Sequence, residues 1–104
     1  MNNYLFIVTV PNIDEGNKIA RNLVENRLAA CVNIIKNISS IYRWNKEIQE
    51  DNEHLLFIKS TEEKSEAIIQ KINQLHSYSV PECIGFKIEK GSEKYLNWIK
   101  DVVD

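Results

Sequence analysis

The feature that most constrains the fold lies in the middle of the chain, where residues 31–60 are extended in character and are interrupted only once. Residues 31–44 and 48–60 carry apolar side chains in strand-like runs and at period two, the spacing of a half-buried strand. Asn45 and Lys46 separate the two runs as the predicted turn, where asparagine tolerates a positive φ well and lysine poorly. Since an average strand has roughly 5–6 residues, a long β-hairpin dominates any fold that this chain adopts.

Shorter segments of regular apolar spacing flank the hairpin on both sides. They are a strand at 5–10, a helix at 14–26, a second helix that carries Ala67 to Leu75, a strand at 82–90 and a C-terminal helix after Gly91-Ser92. The order β-α-β-β-α-β-α predicts an α+β domain, a ferredoxin-like βαββαβ sandwich with an extra C-terminal helix. We expect an antiparallel sheet with the helices on one face.

Three short polar residues are predicted to cap the helices. Asp14 precedes the first helix, and Ser92 precedes the last one. Ser60 begins the pattern of a capping box, in which Glu63 occupies the third helical position. In each case a side-chain oxygen is expected to accept a hydrogen bond from an exposed backbone N–H, which sets where the helix begins.

The composition is that of an ordinary globular domain. The 104 residues are 43% hydrophobic and 27% charged, which excludes a disordered or fibrous chain and predicts a single domain over residues 1–104. A net charge of −2 gives no basic footprint for nucleic acid or for a membrane surface. With no signal-peptide pattern, no apolar run of roughly 18–20 residues and only Cys31 and Cys83 as cysteines, the sequence predicts a reduced, cytoplasmic setting.

The length of the hairpin also bears on assembly. Two helices of ordinary length cover only part of such a ribbon, which carries Ile38, Ile41, Tyr42 and Trp44. An uncovered apolar ribbon with open edges promotes aggregation. Pairing with further copies of the chain removes that hazard, so we predict a homo-oligomer.

Several segments occur in the order and spacing typical of one known family. They are Leu28-Ala29-Ala30-Cys31-Val32-Asn33, Tyr42-Arg43-Trp44 with Ile48 and Glu53, Ile58-Lys59, His76-Ser77-Tyr78-Ser79-Val80-Pro81-Glu82, and Gly91-Ser92-Glu93-Lys94-Tyr95-Leu96-Asn97-Trp98. Through them the chain resembles the CutA family, the divalent-cation tolerance proteins, over essentially its full length. The resemblance implies a ferredoxin-like subunit, a compact homotrimer in which long strands pair between subunits, and a link to tolerance of metal ions, especially copper.

The sequence departs from the family pattern at three places. The hairpin has Lys46 where a glycine is usual, and the loop has Ser77 and Ser79 in place of a proline and a glutamate. Some members carry a cysteine and a second histidine where this chain has Val8 and Leu75. The last departure removes ligands from any copper site of the cysteine–histidine kind.

The candidate metal contacts are His76, Glu82 and Cys83. A copper or zinc site needs imidazole or thiolate ligands, and the sequence has no CxxC pair and no histidines at i and i+4. The resemblance is what favours His76, whose alternative role is at a helix end, and the alternative for Cys83 is a structural one. Cys31 is interpreted as a small buried hydrophobe and His54 as a solvated residue. Cu(II) or another divalent ion is therefore a possible ligand but no obligatory cofactor.

A second set of candidates is both polar and aromatic, and it stands at positions that match the family. Beside His76 and Glu82 its members are Trp44, Glu53, Lys59, Tyr78, Tyr95 and Trp98. In the implied trimer they would gather near a subunit boundary. The set is typical of a small-ligand cleft with apolar walls and a few polar anchors. It is equally typical of an interface core, in which Tyr and Trp are common anchors.

An enzymatic role has little support in the sequence. Cys83 and His76 are seven positions apart, but no known active-site signature surrounds either residue. Three glycines cannot build a phosphate-binding loop, and nucleotide binding by analogy with other trimeric ferredoxin-like proteins would rest on fold alone. We therefore predict a protein that is not an enzyme and whose partners are divalent ions and further copies of itself.

Overall fold

The strands and helices follow the switches of apolar period along the sequence. In the computed structural model, which describes residues 2–104, they are β1 (Asn3–Val10), α1 (Ile13–Glu25), β2 (Cys31–Trp44), β3 (Glu47–Thr61), α2 (Ser65–Leu75), β4 (Cys83–Lys87) and α3 (Glu93–Val103). A single 3₁₀ turn at Glu62–Lys64 leads into α2. This order confirms the α+β, ferredoxin-like prediction with an extra C-terminal helix.

The four strands form one sheet in the order β2-β3-β1-β4, and every neighbouring pair is antiparallel. β1 lies inside the sheet between β3 and β4, which is why its run of β-branched residues is apolar on both faces. β2 and β4 are the two edges. β4 is shorter than the predicted strand at 82–90, because its pairing with β1 stops at Tyr4↔Lys87.

The main core lies between one face of the sheet and the first two helices. Alternate residues of β1 and β3 point to this face, including Phe6, Val8 and Ile58, and pack against apolar residues of α1 and α2. Gly85 of β4 stands directly over the Phe6 ring, so that a Cβ at this position would lie 2.7 Å from Phe6 Cε2. A side chain at position 85 would therefore have to displace the Phe6 ring.

The third helix, α3, packs on the sheet face opposite the main core, which corrects the prediction that all the helices share one face. The carbonyl oxygen of Leu96 in α3 accepts a hydrogen bond from Asn3 Nδ2 at 3.0 Å, and Tyr95 lies beside Lys59. Asn3 and Lys59 alternate to the side opposite the main core. Ile99 and Val103 pack there in a second, smaller cluster. The sequence pattern cannot reveal this, because a helix with one apolar stripe fits either face of a sheet.

The hairpin of β2 and β3 extends well beyond the sheet. β1 stops pairing with β3 at Val10↔His54, whereas β2 pairs with β3 as far as the turn. Residues 38–53, called the arm below, are therefore a two-stranded ribbon. Asn45 and Lys46 both adopt positive φ, at 51° and 68°, which confirms the predicted turn.

A β-bulge marks the point where the arm leaves the sheet. The register shifts between Ile35 and Ile38, and Asn37 has a φ of 61°. The backbone N–H of Asn37 donates to Nδ1 of His54 at 3.0 Å. The half-buried His54 side chain thus accepts a hydrogen bond from a backbone N–H of the bulge. The interpretation of His54 as a solvated residue is therefore wrong.

The start of α1 differs from the prediction by one residue. Asn12 is the N-cap, since its backbone is extended and its side-chain oxygen accepts a hydrogen bond from the Glu15 N–H at 2.8 Å. Asp14 already lies inside the helix, which covers Ile13–Glu25 rather than residues 14–26. Its charge still favours the first turn through the helix dipole.

The capping box at Ser60 is wrong, whereas the cap at Ser92 is confirmed. β3 continues to Thr61 because the ladder with β1 continues, and the buried Ser60 hydroxyl donates to the Leu28 carbonyl at 2.5 Å. Ser92 has extended backbone and accepts a hydrogen bond from the Tyr95 N–H at 3.4 Å. A residue can cap a helix only if the helix begins directly after it, which the strand pairing of Ser60 prevents.

Within residues 2–104, no helix combines the length and the apolar character that crossing a membrane requires.

Candidate functional site

The loop that follows α2 is fastened to the sheet by His76. Its side chain is buried, and Nε2 donates to the Thr9 carbonyl at 2.7 Å, since a carbonyl can only accept. Nδ1 accepts a hydrogen bond from the Tyr78 N–H at 3.1 Å. Both ring nitrogens are therefore engaged in protein contacts, in the neutral tautomer with the proton on Nε2.

Glu15 in the first turn of α1 holds the same loop from the other side. Its Oε2 accepts a hydrogen bond from the Ser77 N–H at 3.1 Å and lies 3.4 Å from His76 Nδ1. The rings of His76 and Tyr78 are in contact, with centroids 4.7 Å apart. These contacts fix where the Tyr78 ring lies relative to the sheet.

Tyr78 joins the loop to the base of the arm. Its hydroxyl donates to Oε2 of Glu53 at 2.8 Å. Glu53 is only 4% exposed although it is the last arm residue before the sheet. Burial of the phenol and the neighbouring Glu53 carboxylate both raise the pKa of Tyr78 well above its usual value. Tyr78 therefore stays a hydrogen-bond donor at any physiological pH.

A cleft of about 640 Å³ opens between the arm and the loop. Its walls come from β1, from both strands of the arm and from the loop before β4. The lining residues are Thr9, Ser40, Ile41, Tyr42, Trp44, Asp51, Glu53, Tyr78, Ser79, Val80 and Glu82. This volume lies within the range of small-molecule sites, roughly 300–1,000 Å³.

The cleft is acidic as well as aromatic. Asp51, Glu53 and Glu82 line it, while the described lining includes no lysine, arginine or histidine. The Tyr42 hydroxyl donates to Asp51, and this hydrogen bond is the main cause of a raised Tyr42 pKa. Each tyrosine thus donates to one carboxylate, and neither bond removes negative charge.

The structure separates the predicted pocket residues into two groups. Four of them line the cleft, namely Trp44, Glu53, Tyr78 and Glu82. Lys59, Tyr95 and Trp98 form a second group at α3, on the sheet face opposite the main core. They are linked there by a Tyr95–Trp98 ring contact at 5.6 Å and by Lys59 Nζ at 6.0 Å from the Tyr95 ring centre.

The three predicted metal contacts lie along one segment but in different surroundings. His76 is buried and engaged, Glu82 is exposed at the cleft, and Cys83 is the first residue of β4. Burial, and to a lesser extent Glu82, raises the pKa of the Cys83 thiol to about 11, so it is protonated at neutral pH. Among residues 2–104, no three His, Cys, Asp or Glu side chains are placed to share a metal ion.

Seven of the residues that line the cleft were not among the predicted site residues, although Ile41 and Tyr42 were placed on the apolar ribbon. They are Thr9, Ser40, Ile41, Tyr42, Asp51, Ser79 and Val80. The arm register pairs residue 42 with 49 and residue 40 with 51, so the Tyr42–Asp51 contact is diagonal across the ribbon. A hairpin pairing counted outward from the Asn45–Lys46 turn would have found it.

Comparison with known proteins gives a consistent result. Residues 4–102 match the sequence model of the CutA1 divalent ion tolerance protein family. The divalent-cation tolerance protein CutA of Thermus thermophilus is 42% identical over 95 residues, which cover 91% of this chain and 92% of that protein. A chloroplastic CutA of Arabidopsis thaliana is 46% identical over 94 residues, but the match covers only 52% of that longer protein.

Solved structures agree at the level of the backbone. The crystal structure of CutA from Xylella fastidiosa is similar with a TM-score of 0.97 and 36% identity over the whole of both chains. The periplasmic divalent cation tolerance protein CutA of Archaeoglobus fulgidus gives a TM-score of 0.95 at 32% identity, covering 98% of this chain and 99% of that one. With the family match over residues 4–102, these likenesses establish that the chain belongs to the CutA1 divalent ion tolerance protein family.

Proposed function

We propose that this protein acts in divalent-cation tolerance as a non-enzymatic homotrimer that binds or responds to divalent metal ions, copper above all. Family membership supports the link to divalent ions. The observation that carries the self-association in this proposal is a broad apolar sheet face that α3 covers only at one end.

This open sheet face is defined by the strand register. Residues paired across neighbouring strands point to the same side, which places seven apolar side chains opposite the main core. They are Leu5, Ile7, Ile35, Leu55, Phe57, Ile84 and Phe86. Ile35, Ile84 and Phe86 are 43–49% exposed, so the described chain leaves this face open to solvent. A contiguous apolar face of this kind is typical of an association surface.

The arm and the sheet edges add two further reasons for self-association. Ile41 and Ile48 on the arm are 68% and 69% exposed. β2 and β4 each have one unpaired edge within the described chain. A head-to-tail contact between two different edges closes into a ring when the rotation from one copy to the next divides a full turn. The number of copies, three, comes from the family resemblance.

The metal contact is proposed at a subunit boundary, where neighbouring chains add the remaining donors. Within one chain Glu82 is the candidate that is exposed and outside the hydrogen bonds among residues 2–104. His76 binds an ion only after losing its bond to Thr9 or to Tyr78, and Cys83 only after losing its proton. We also propose a reduced, cytoplasmic setting, which is consistent with two free thiols at Cys31 and Cys83.

The metal proposal is tested by titrating tag-free protein with Cu(II) in isothermal calorimetry. We expect saturation at a fixed whole number of ions per trimer. Glu82→Gln removes one charge without changing size and is expected to weaken binding about tenfold. Glu89→Gln, an exposed change beyond β4, is the matched control. An unchanged affinity in Glu82→Gln and in His76→Ala would contradict the proposed contacts.

A second candidate function is a small-ligand or partner-docking module, and the cleft is the observation that favours it. The cleft has aromatic walls, a buried carboxylate and a suitable volume. Binding of an organic ligand that is lost on changing Tyr78 but unaffected by a chelator would distinguish this function from metal binding.

A further inference from the structure

The side chains that line the cleft carry negative charge, and no basic side chain among the described lining residues neutralises it. Its three carboxylates belong to Asp51, Glu53 and Glu82, and none of its described lining residues is cationic. A concave site with low-dielectric walls concentrates such a field and attracts positive charge. The cleft therefore repels phosphates and carboxylic acids and favours a cation.

Glu53 gives the cleft a specific point of attachment. It is 96% buried and accepts one hydrogen bond, from the Tyr78 hydroxyl to Oε2. No donor among residues 2–104 contacts its Oε1, and the residue lines the cleft. Oε1 is not among the fully buried atoms that lack a partner, so it is open on the side of the cleft, and a cationic donor placed there would pair with the carboxylate.

The walls indicate what the rest of the ligand looks like. Within a single chain, Trp44 and Tyr42 of the arm are 47% and 40% exposed, and Tyr78 of the loop lines the opposite side. Aromatic faces bind apolar groups and also attract cations through their negative π surface. A volume of about 640 Å³ holds a small organic molecule, and no three donors of the described residues are arranged for a bare metal ion.

We propose that the cleft binds a small organic cation, with an ammonium or guanidinium group on Glu53 and an apolar body against the aromatic walls. This inference rests on the second candidate function and adds the chemical class of its ligand. Tyr78 is a positioning residue here, because its hydroxyl and its contact with His76 hold the Glu53 carboxylate in place.

The test uses two probes of the same shape, benzylamine, which is a cation at neutral pH, and benzyl alcohol, which is neutral. The chain has two tryptophans, so an ¹⁵N-labelled sample gives two indole signals. Trp44 lines the cleft, whereas Trp98 lies at α3 and serves as an internal control. We expect benzylamine to shift the Trp44 signal saturably, to leave Trp98 unchanged, and to bind about tenfold more tightly than benzyl alcohol.

Matched variants locate the charge that matters. Glu53→Gln keeps the size and an acceptor for Tyr78, and it is expected to weaken benzylamine about tenfold while leaving benzyl alcohol unchanged. Glu89→Gln, an exposed change beyond β4 that does not line the cleft, is expected to have no effect. If Glu53→Gln does not fold, Glu82→Gln at the cleft rim replaces it, with a smaller loss expected because that carboxylate is exposed.

The outcomes separate this inference from the function on which it rests. Equal binding of the two probes would overturn the cation class but would keep a small-ligand cleft. A Trp44 signal that neither probe shifts would overturn both, as expected if a basic side chain of a second copy fills the cleft. Loss of the benzylamine effect on adding EDTA would show that a metal ion carries the binding, which also overturns the inference.

Discussion

Removing the Tyr78 hydroxyl is the most informative single change in this molecule. Tyr78→Phe deletes the bond to Glu53 at 2.8 Å but keeps the ring that lies against His76. Glu53, at 4% exposure, then loses the one donor that the described chain supplies to it. The variant therefore measures what the loop contributes to holding a buried carboxylate.

The expected loss of stability follows from the geometry. A hydrogen bond to a charged group contributes about 1.5–3 kcal/mol, and an acceptor left buried without its donor adds to the loss. Because Tyr78 is 36% exposed as a residue, water partly replaces the lost donor, which favours the lower end of that range. We expect Tyr78→Phe to lower the free energy of unfolding by about 1.5 kcal/mol. For a domain of this size that corresponds to a Tm about 6–12 °C lower.

The effect has a defined pH dependence. The pKa of Tyr78 is raised in the folded state by burial and by Glu53, whereas the unfolded chain titrates near the ordinary value of 10.0. A raised folded pKa gives a contribution that is complete below pH 10 and is lost as the pH rises above it. The stability difference between the wild type and Tyr78→Phe is therefore expected to be constant near neutrality and to shrink above about pH 10.

Thermal and urea unfolding at one fixed protein concentration measure both quantities, since an oligomer unfolds in a concentration-dependent way. Tyr42→Phe is the matched control, because it removes an equivalent tyrosine–carboxylate bond, to Asp51, from the exposed arm. We expect no measurable change in that variant. Equal effects of the two substitutions, or none in Tyr78→Phe, would refute the reasoning about the buried carboxylate.

Three further predictions concern the core, a thiol and a helix cap. Gly85→Ala is expected to lower stability by about 1–3 kcal/mol in urea unfolding, because its Cβ would stand 2.7 Å from the Phe6 ring, and an unchanged midpoint would contradict this. Because the pKa of Cys83 is about 11, we expect this thiol to react with iodoacetamide far more slowly than free cysteine at pH 8. The alkylation rate, followed by mass spectrometry, should still rise above pH 9.5. A rate that reaches a plateau near pH 9 would contradict the raised pKa. Ser92→Ala is expected to cost about 0.5–1 kcal/mol and to speed amide exchange in the first turn of α3, and unchanged exchange would argue against the cap.

The architecture was readable from the sequence because apolar spacing is a local signal. The hairpin, its Asn45-Lys46 turn and the cap at Ser92 depend on residues a few positions apart. The capping box at Ser60 failed for a non-local reason, since pairing with β1 keeps that residue in its strand. The side of the sheet taken by α3 is likewise decided by packing.

The site was only partly predictable, because its contacts join distant parts of the chain. Glu53 and Tyr78 are 25 positions apart, and His76 and Thr9 are 67 apart. The family resemblance brought Trp44, Glu53 and Tyr78 together as candidates, but the spacing of residues alone could not separate them from the Lys59 group at α3. The metal contacts stay a prediction, since their donors within one chain do not converge.

The central claim is that copies of this chain assemble into a trimer that binds divalent ions. Native mass spectrometry of tag-free protein tests it directly, before and after one equivalent of Cu(II) per chain and desalting. We expect a species of about 36 kDa, three chains of 12.1 kDa, that retains a fixed whole number of copper ions. A 12.1 kDa monomer would contradict the assembly, and a trimer that loses its copper or carries a broad spread of ions would contradict the metal site.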